Sequence, residues 1–123
     1  MTTFILVGHC VPDQFMLRSA VQRLVPDAAV EIVNDHSSLE PHLHPEAVLL
    51  VNRVLDGRFH ASDGIELIAA LNGNGPRALL ISNIADAQTR AETAGAMPGF
   101  GKSDLYEVAT GDRLRAAVVT EEI

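Results

Sequence analysis

The chain has 123 residues, 47% of them hydrophobic and 20% charged, so it can bury one core and is not a disordered segment. Nine basic residues against 16 acidic ones give a net charge of −7, which argues against a nucleic-acid-binding surface. Its apolar runs are too short to span a bilayer, its N-terminus lacks the basic region of a signal peptide, and its one cysteine excludes an internal disulfide. We therefore expect a cytoplasmic domain that contacts neither nucleic acid nor a membrane.

The chain begins with a strand pattern and then a helix pattern. Residues 4–7 are wholly apolar and precede Gly8, which is typical of a strand buried on both faces of a parallel sheet. A helix follows, which opens at Pro12 and is limited by Pro26. Its expected apolar side consists of Phe15, Leu17, Ala20, Val21 and Leu24.

The next two strands and the short helix between them are predicted from similar signals. Ala29–Val33 indicates the second strand, and residues 37–40 indicate a short helix limited by Pro41 and Pro45. Residues 47–51 form the most apolar run and predict the third strand. A long loop over residues 52–64 follows this strand.

The second half of the chain continues the alternation. A third helix is predicted over residues 65–71, a fourth strand over 78–81, and an alanine-rich helix over 86–94 that ends at Gly95. A weak fifth strand lies near Phe100, and the last helix is predicted over 112–119. The inward-facing positions of that last helix are Leu114, Ala117 and Val118.

Five strands that alternate with five helices predict an α/β protein with a flavodoxin-like (βα)5 fold, a doubly wound sheet of five parallel strands. In such a sheet, binding sites lie at the carboxyl ends of the strands. The candidate site residues at those ends are His9, Cys10, Asn52, Arg53, Ser82, Asn83 and Lys102.

Four segments resemble the receiver domain of two-component response regulators, and together they cover nearly the whole chain. They are Ile5-Leu6-Val7 with its Pro-Asp helix start, Val48-Leu49-Leu50-Val51 with the later Asp63-Gly64, Ala78-Leu79-Leu80-Ile81-Ser82, and Gly95-Ala96 with the stretch around Lys102. The resemblance implies a CheY-like fold over residues 1–123. It also implies a stand-alone module of a phosphorelay, without an output domain, whose partner is a histidine kinase or an effector.

The chemistry that the resemblance implies is a metal-assisted phosphoryl transfer to an aspartate at the end of the third strand, with two acidic residues holding Mg²⁺. Here the phosphoacceptor position falls on Asn52 and the acidic pair on His9 and Cys10, while Ser82 and Lys102 remain. An amide is a very poor nucleophile, and histidine and cysteine do not favour Mg²⁺. We therefore expect a pseudo-receiver that is not an enzyme, has lost Mg²⁺ binding and needs no cofactor.

Other residues acquire candidate roles from the same resemblance. Phe100 is the candidate switch aromatic, one place after the family's usual position. Ser82 and Lys102 are candidates for binding phosphate or another anion, although Lys102 is equally compatible with a salt bridge or hydrogen bonds to neighbouring loops. Asp13 lies at a helix start, where a carboxylate favours the helix dipole, and does not replace the missing acids.

Three functional hypotheses remain open at the level of sequence. The first is an interaction module that uses the surface of helices four and five, which also suits a homodimer, or the loop around Phe59. The second is a receiver with a displaced phosphoacceptor at Asp56, and the third is a small ligand-binding or enzymatic domain that uses His9, Cys10 and Lys102. A zinc site built from the histidines at 36, 42 and 44 is disfavoured, because no further ligand has the necessary spacing.

Overall fold

Strands and helices alternate along the chain as the hydrophobic pattern predicts. The computed structural model describes residues 2–118. Its elements are β1 (Thr3–Val7), α1 (Val11–Leu24), β2 (Ala29–Val33), α2 (His36–Leu39), β3 (Ala47–Asn52), α3 (Gly64–Leu71), β4 (Arg77–Ile81), α4 (Ala85–Thr93), β5 (Met97–Phe100) and α5 (Val108–Ala117). Short 3₁₀ turns follow α2 and β5, at Glu40–His42 and Lys102–Asp104.

The strands form one parallel sheet in the order β2-β1-β3-β4-β5, which confirms the predicted flavodoxin-like fold. Because the chain winds in both directions from β1, helices cover both faces of the sheet. The register pairs Val7 with Val51 and Asn52 with Ile81. The carboxyl ends of β1, β3 and β4 therefore meet at one edge.

Two apolar clusters lie on opposite faces of the sheet. One contains Phe4 and Leu6 and packs against α1 and α5, and the other contains Ile5 and Val7 and packs against α2, α3 and α4. Successive residues of β1 thus enter different clusters, because side chains alternate across a strand. Burial on both faces explains why the central strands are continuous apolar runs.

The prediction for the apolar side of α1 is wrong at Phe15. Leu17, Ala20 and Val21 are buried as expected, but Phe15 is 72% exposed. Phe15 precedes Leu17 by two positions, which is more than half a helical turn, so the two side chains lie on different faces of the helix. An aromatic ring is therefore left on the surface.

Two helix boundaries also differ from the prediction. The last helix begins at Val108 instead of residue 112, because Thr110 is buried and donates its hydroxyl to the Asp104 carbonyl at 2.6 Å. Its predicted end at Val119 lies outside the described residues. The second helix begins at His36 and continues as a 3₁₀ turn through Pro41, a residue that fits the first turn of such a helix. Within residues 2–118, no helix is long and apolar enough to cross a membrane.

Candidate functional site

Five of the predicted site residues, Arg53 and Asn83 among them, meet around one open cleft at the carboxyl edge of the sheet. Asn52 ends β3, Ser82 follows β4 and Lys102 follows β5. The cleft has a volume of about 210 Å³. It is lined by Asn52, Arg53, Val54, Ile81, Ser82, Asn83, Ile84 and Lys102.

The Asn52 side chain uses both ends of its amide. Its nitrogen Nδ2 donates to the carbonyl oxygens of Gly8 at 3.0 Å and Val54 at 2.7 Å. Its oxygen Oδ1 accepts from Nζ of Lys102 at 3.3 Å. Two acceptors on one side and a cationic donor on the other define the orientation of the amide. A carboxylate here would have no proton for the two carbonyl groups, so the surroundings suit asparagine and not aspartate.

Lys102 forms a salt bridge with Asp13, whose carboxylate oxygen Oδ2 lies 2.6 Å from Nζ. Both side chains are partly buried, with exposures of 25% and 21%. The hydrogen bond from Lys102 lowers the pKa of the Asp13 carboxyl below its usual value, against the opposing effect of burial. The sequence allows Lys102 either to bind an anion or to form a salt bridge or hydrogen bonds with neighbouring loops. In the structure Lys102 forms the salt bridge.

His9 is fully buried beneath the crevice edge, with 0% exposure. Its ring nitrogen Nε2 lies 2.8 Å from the Leu50 carbonyl oxygen and must donate, because a carbonyl oxygen only accepts. Its other ring nitrogen, Nδ1, is buried and has no hydrogen-bond partner in the part of the chain that the structure describes. Burial therefore lowers the pKa of His9 to about 4, and the imidazole is neutral at pH 7.

The remaining predicted residues lie apart from the cleft. Cys10 is exposed at the start of α1 and forms no disulfide, and its thiol contributes a hydrogen bond that lowers the pKa of the Asp13 carboxyl. Phe100 is 2% exposed and packs in the core cluster on the α1 and α5 side of the sheet. In this structure the Phe100 ring is a core side chain.

The long loop after β3 folds over the ends of β1 and β2. The backbone amide of Asp56 donates to the Gly8 carbonyl at 2.9 Å, and that of Arg58 donates to the Asn34 carbonyl at 3.0 Å. Phe59 is partly buried against the core, so its ring is not an exposed contact point. The loop thus covers the strand ends where the resemblance would place the acidic pair.

Two amide side chains complete this covered region. Gln14 donates to the His9 carbonyl at 2.9 Å, and Asn34 donates to the same oxygen at 3.1 Å. The backbone around His9 is therefore fixed by protein hydrogen bonds rather than left open to a ligand.

The histidines on the surface do not assemble a metal site. The rings of His36 and His60 are stacked, with centroids 3.5 Å apart, and His36 lies 3.1 Å from the Glu40 carboxylate. His42 lies 3.9 Å from the Glu31 carboxylate. Among residues 2–118, no group of three or more histidine, cysteine, aspartate or glutamate side chains is arranged to hold a metal ion.

The crevice does not fit the Mg²⁺ ion that the resemblance implies. Mg²⁺ prefers carboxylate oxygens in octahedral geometry. The strand ends offer a buried imidazole at His9 and an amide at Asn52, and the Asp13 carboxylate is engaged by Lys102. These side chains therefore do not form the set of carboxylate ligands that Mg²⁺ prefers.

Solved structures with a similar fold include several response regulators. The signal receiver domain of a DNA-binding response regulator protein (merR) from Colwellia psychrerythraea 34H superposes with a TM-score of 0.70 at 17% identity, over 94% of this chain and 97% of that one. The Mn²⁺-bound form of response regulator Rcp1 gives 0.66 at 17% identity, over 100% of both chains. The chain has the fold of a response-regulator receiver domain.

A third receiver structure extends the comparison. A response regulator from Burkholderia pseudomallei, with a phosphorylated aspartic acid, a calcium ion and citrate, gives a TM-score of 0.60 at 19% identity, over 98% of this chain and 68% of that one. No family model and no curated protein matches the sequence. The receiver fold is thus present at 17–19% sequence identity to these structural neighbours.

The sequence does not predict that Asp13 belongs to the crevice. It places Asp13 at a helix start, directly after Pro12, and gives no signal for its pairing with Lys102. Arg53, by contrast, is among the predicted strand-end residues and lines the cleft beside Asn52.

Proposed function

We propose that this chain is a receiver-like signalling module that is not phosphorylated at the position of Asn52, does not bind Mg²⁺ there, and acts by protein–protein contact. The partner is a component of a two-component pathway, a histidine kinase or an effector. The observation that carries the proposal is the double engagement of the Asn52 amide by two carbonyl groups and by Lys102. These contacts use the neutral amide in a structural role and leave no nucleophile at the end of β3.

The surface that best supports a protein contact is an exposed apolar face beside α1, which we name the α1–Tyr106 face. Phe15 is 72% exposed and Tyr106 88% exposed. Its members are Val11, Phe15, Met16, Tyr106 and Val108. Contiguous exposed apolar side chains mark interaction sites more often than single ones do.

A groove makes part of the α1–Tyr106 face concave. It has a volume of about 400 Å³ and lies between α1 and the segment after β5. Phe15 and Tyr106 both line it, and the Arg23 guanidinium lies over the Tyr106 ring at 4.5 Å from its centroid. This contact holds the tyrosine ring at the groove without covering it.

The surface of α4 has a different character. Its exposed side chains are polar or small, among them Asp86, Arg90 and Glu92. The described surface therefore supports the α1–Tyr106 face, which includes Val108 at the start of α5, over a contact through α4. A contact or a homodimer through helices four and five stays a prediction.

The absence of phosphorylation is tested by intact-mass spectrometry after incubation with acetyl phosphate and Mg²⁺. The wild-type chain is expected to keep its mass, as is the Asn52→Asp variant, because the metal ligands are still missing. A gain of one phosphoryl group by the wild-type chain would contradict the proposal. If the Asp56→Asn variant did not gain this mass, Asp56 would be the acceptor. Asp56 is exposed, and its backbone amide donates to the Gly8 carbonyl.

The contact face is tested by affinity capture from the native host, with three matched baits. Phe15→Ser and Tyr106→Ser are expected to lose the specific partner that wild type retains. Ile84→Ser is the control, since it removes an exposed apolar side chain at the start of α4. Loss of the partner with Ile84→Ser alone would place the contact on α4 instead.

A further inference from the structure

We propose that the free edge of β2 is a docking site for an extended segment of a partner protein, with apolar residues at alternate positions and a basic residue between them. The segment adds to the sheet as a further strand beside β2. This inference goes beyond the proposed function and does not depend on it, because it requires neither the groove of the α1–Tyr106 face nor any property of Asn52.

The first support is a set of backbone groups that face away from the sheet. The Ala29 amide donates to the carbonyl just before β1 at 3.1 Å, and the Val33 carbonyl accepts from the amide just after β1 at 3.1 Å. These two residues of β2 therefore bond toward β1. Because the direction of the backbone groups alternates along a strand, Val30 and Ile32 face outward. Over residues 2–118, β1 is the only strand beside β2, so this outer edge can accept a further strand.

The second support is that the chain already uses the next outward position of the same edge. The Arg58 amide donates to the Asn34 carbonyl at 3.0 Å, and the His36 amide donates to the Arg58 carbonyl at 2.8 Å. The two segments form an isolated parallel bridge just beyond the end of β2. One residue of the loop after β3 thus lies where a neighbouring strand would lie, and the positions of Val30 and Ile32 directly precede it.

The third support is apolar surface beside this edge. Val30 packs against the core cluster on the α1 side of the sheet, and Ile32 lies on the same face because side chains alternate along the strand. Ile32 is 37% exposed and lines a small cavity together with Gln14, Phe15 and Arg18. Apolar side chains of an added strand would cover Ile32 and the exposed Phe15 ring, which favours docking.

The two edges of the sheet differ in their protection against such pairing. β5, at the opposite edge, has four residues, includes Pro98, which cannot donate a ladder hydrogen bond, and pairs with β4 in an irregular register. β2 has five residues, no proline and a continuous register with β1. Proline, bulges and short length are the common devices that prevent edge pairing, so β2 is the edge suited to an added strand.

Charge along β2 selects a basic segment. Glu31 lies in the middle of the strand with its side chain 57% exposed, and its nearest cation is His42 at 3.9 Å, beyond hydrogen-bonding distance. Asp27 and Asp35 lie just before and just after β2. A lysine or arginine opposite Glu31 would form a favourable cross-strand pair on the α2 side of the sheet. Arg18 lies beside the other face, where the proposed segment carries apolar residues.

A second copy of this chain fits the edge less well than a basic segment. An antiparallel pairing of two β2 strands that uses the outward groups of both Val30 and Ile32 places the Glu31 side chains of the two copies directly opposite each other. Like charges in such a position are destabilising, and each copy carries a net charge of −7. The charge therefore favours a partner of opposite sign.

The test is hydrogen exchange of backbone amides, measured by NMR with and without a blocked model peptide of sequence Thr-Val-Lys-Val-Lys-Val-Thr. The amides of Val30 and Ile32 are expected to exchange about tenfold more slowly when the free peptide is at about ten times its Kd. The Ala29 and Val33 amides, which already bond toward β1, should change less. Absence of saturable protection at Val30 and Ile32 would overturn the proposal.

Two further peptides separate backbone pairing from charge. A peptide of the same sequence, N-methylated at alternate residues on the pairing edge, keeps the side chains but lacks the backbone donors, and it should not protect the edge. A peptide with glutamate in place of both lysines should bind more weakly than the lysine peptide. Equal protection by all three peptides would contradict strand addition.

A pair of charge-reversal variants makes the assignment specific. Glu31→Lys is expected to weaken binding of the lysine peptide about fivefold and to strengthen binding of the glutamate peptide. Glu92→Lys makes the same change at an exposed position on α4 and is expected to alter neither affinity specifically. Equal effects of the two variants would indicate a response to net charge alone and would contradict the site.

The remaining outcomes identify other occupants of the edge and separate this inference from the proposed function. Protection of Val30 and Ile32 that grows with protein concentration in the absence of peptide would assign the edge to a second copy and overturn the proposal. Peptide-induced shifts centred on residues 105–108 instead of β2 would place the peptide in the groove of the α1–Tyr106 face and would also overturn it. Protection at β2 supports the proposal whether or not Asn52 is phosphorylation-inert.

Discussion

The two halves of the strand-end crevice differ in their exposure to solvent. Around His9 the crevice is closed, because the loop after β3 bonds to the Gly8 and Asn34 carbonyls and the imidazole is fully buried. Around Ser82 and Lys102 it is open, and polar side chains line a cleft. Receiver chemistry needs an accessible metal at the first half and oxyanion donors at the second. In this chain Ser82 and Lys102 line the open half, while His9 in the other half is fully buried.

Under the proposed function, the loss of phosphotransfer has a structural basis that extends beyond the substitution at Asn52. The amides of Gln14, Asn34 and Asn52 donate to backbone oxygens around the closed half. Restoring one acid would leave a buried imidazole, a covering loop and the Lys102–Asp13 salt bridge in place. The open half carries no such obstruction.

The largest expected effect comes from protonation of His9 in the closed half. Its pKa is lowered to about 4 in the folded state from 6.5, so the unfolded chain binds more protons between these values. Stability is therefore complete above pH 6.5 and is lost as the pH falls toward 4, by about 3 kcal/mol. Urea unfolding at pH 7.0 and pH 4.5 measures this loss.

Two variants isolate the histidine responsible. His9→Gln removes the titrating group and is expected to flatten the stability profile over this pH range, from a lower starting value. His44→Gln replaces a partly exposed histidine and is expected to keep the wild-type slope. An unchanged slope in His9→Gln would show that another group governs the acid response.

A smaller effect is expected from loosening the loop that closes this half. Gly57 has a φ of 117°, and a methyl group there would overlap the Asn34 carbonyl oxygen. Gly57→Ala should cost about 2 kcal/mol more than Gly73→Ala, which has a φ of 72° and open space around it. Urea unfolding of both variants gives the difference, and equal losses would mean that the loop is not tightly packed on β2.

The smallest expected effect belongs to the salt bridge between the two halves. A double-mutant cycle of Asp13→Asn and Lys102→Gln should give a coupling of about 1 kcal/mol at pH 7, since the pair is partly buried. Because the pKa of Asp13 is lowered, the coupling is complete above the carboxyl's unfolded value and disappears as the pH falls through its folded one. A coupling that stays unchanged as the pH is lowered below the carboxyl's unfolded value would contradict an ionic interaction.

The architecture followed from sequence because it depends on local periodicity. The continuous apolar runs of β1, β3 and β4 and the helical patterns between them suffice to specify a parallel sheet. Phe15 is the exception within a helix, because its position two residues before Leu17 places it on another face of α1. Strand ends, and hence the positions of Asn52 and Ser82, followed from the same periodicity.

The internal arrangement of the crevice did not follow, because it depends on contacts between distant segments. The pairing of Lys102 with Asp13 joins residues 89 positions apart, and the Asn52 bond to Gly8 joins residues 44 apart. The course of the loop over β2 depends on backbone bonds from Arg58, which carry no residue-type signal. The exposure of Tyr106 likewise depends on tertiary packing.

The most direct test of the account is a Mn²⁺ titration followed by paramagnetic broadening of backbone amide signals. The closed half should show no saturable site, so the amides of Gly8, His9 and Cys10 should broaden no more than those of exposed acidic stretches elsewhere. Subsequent Mg²⁺ should then produce no competition at these amides. Saturable broadening confined to residues 8–10 and 52, reversed by Mg²⁺, would contradict the account.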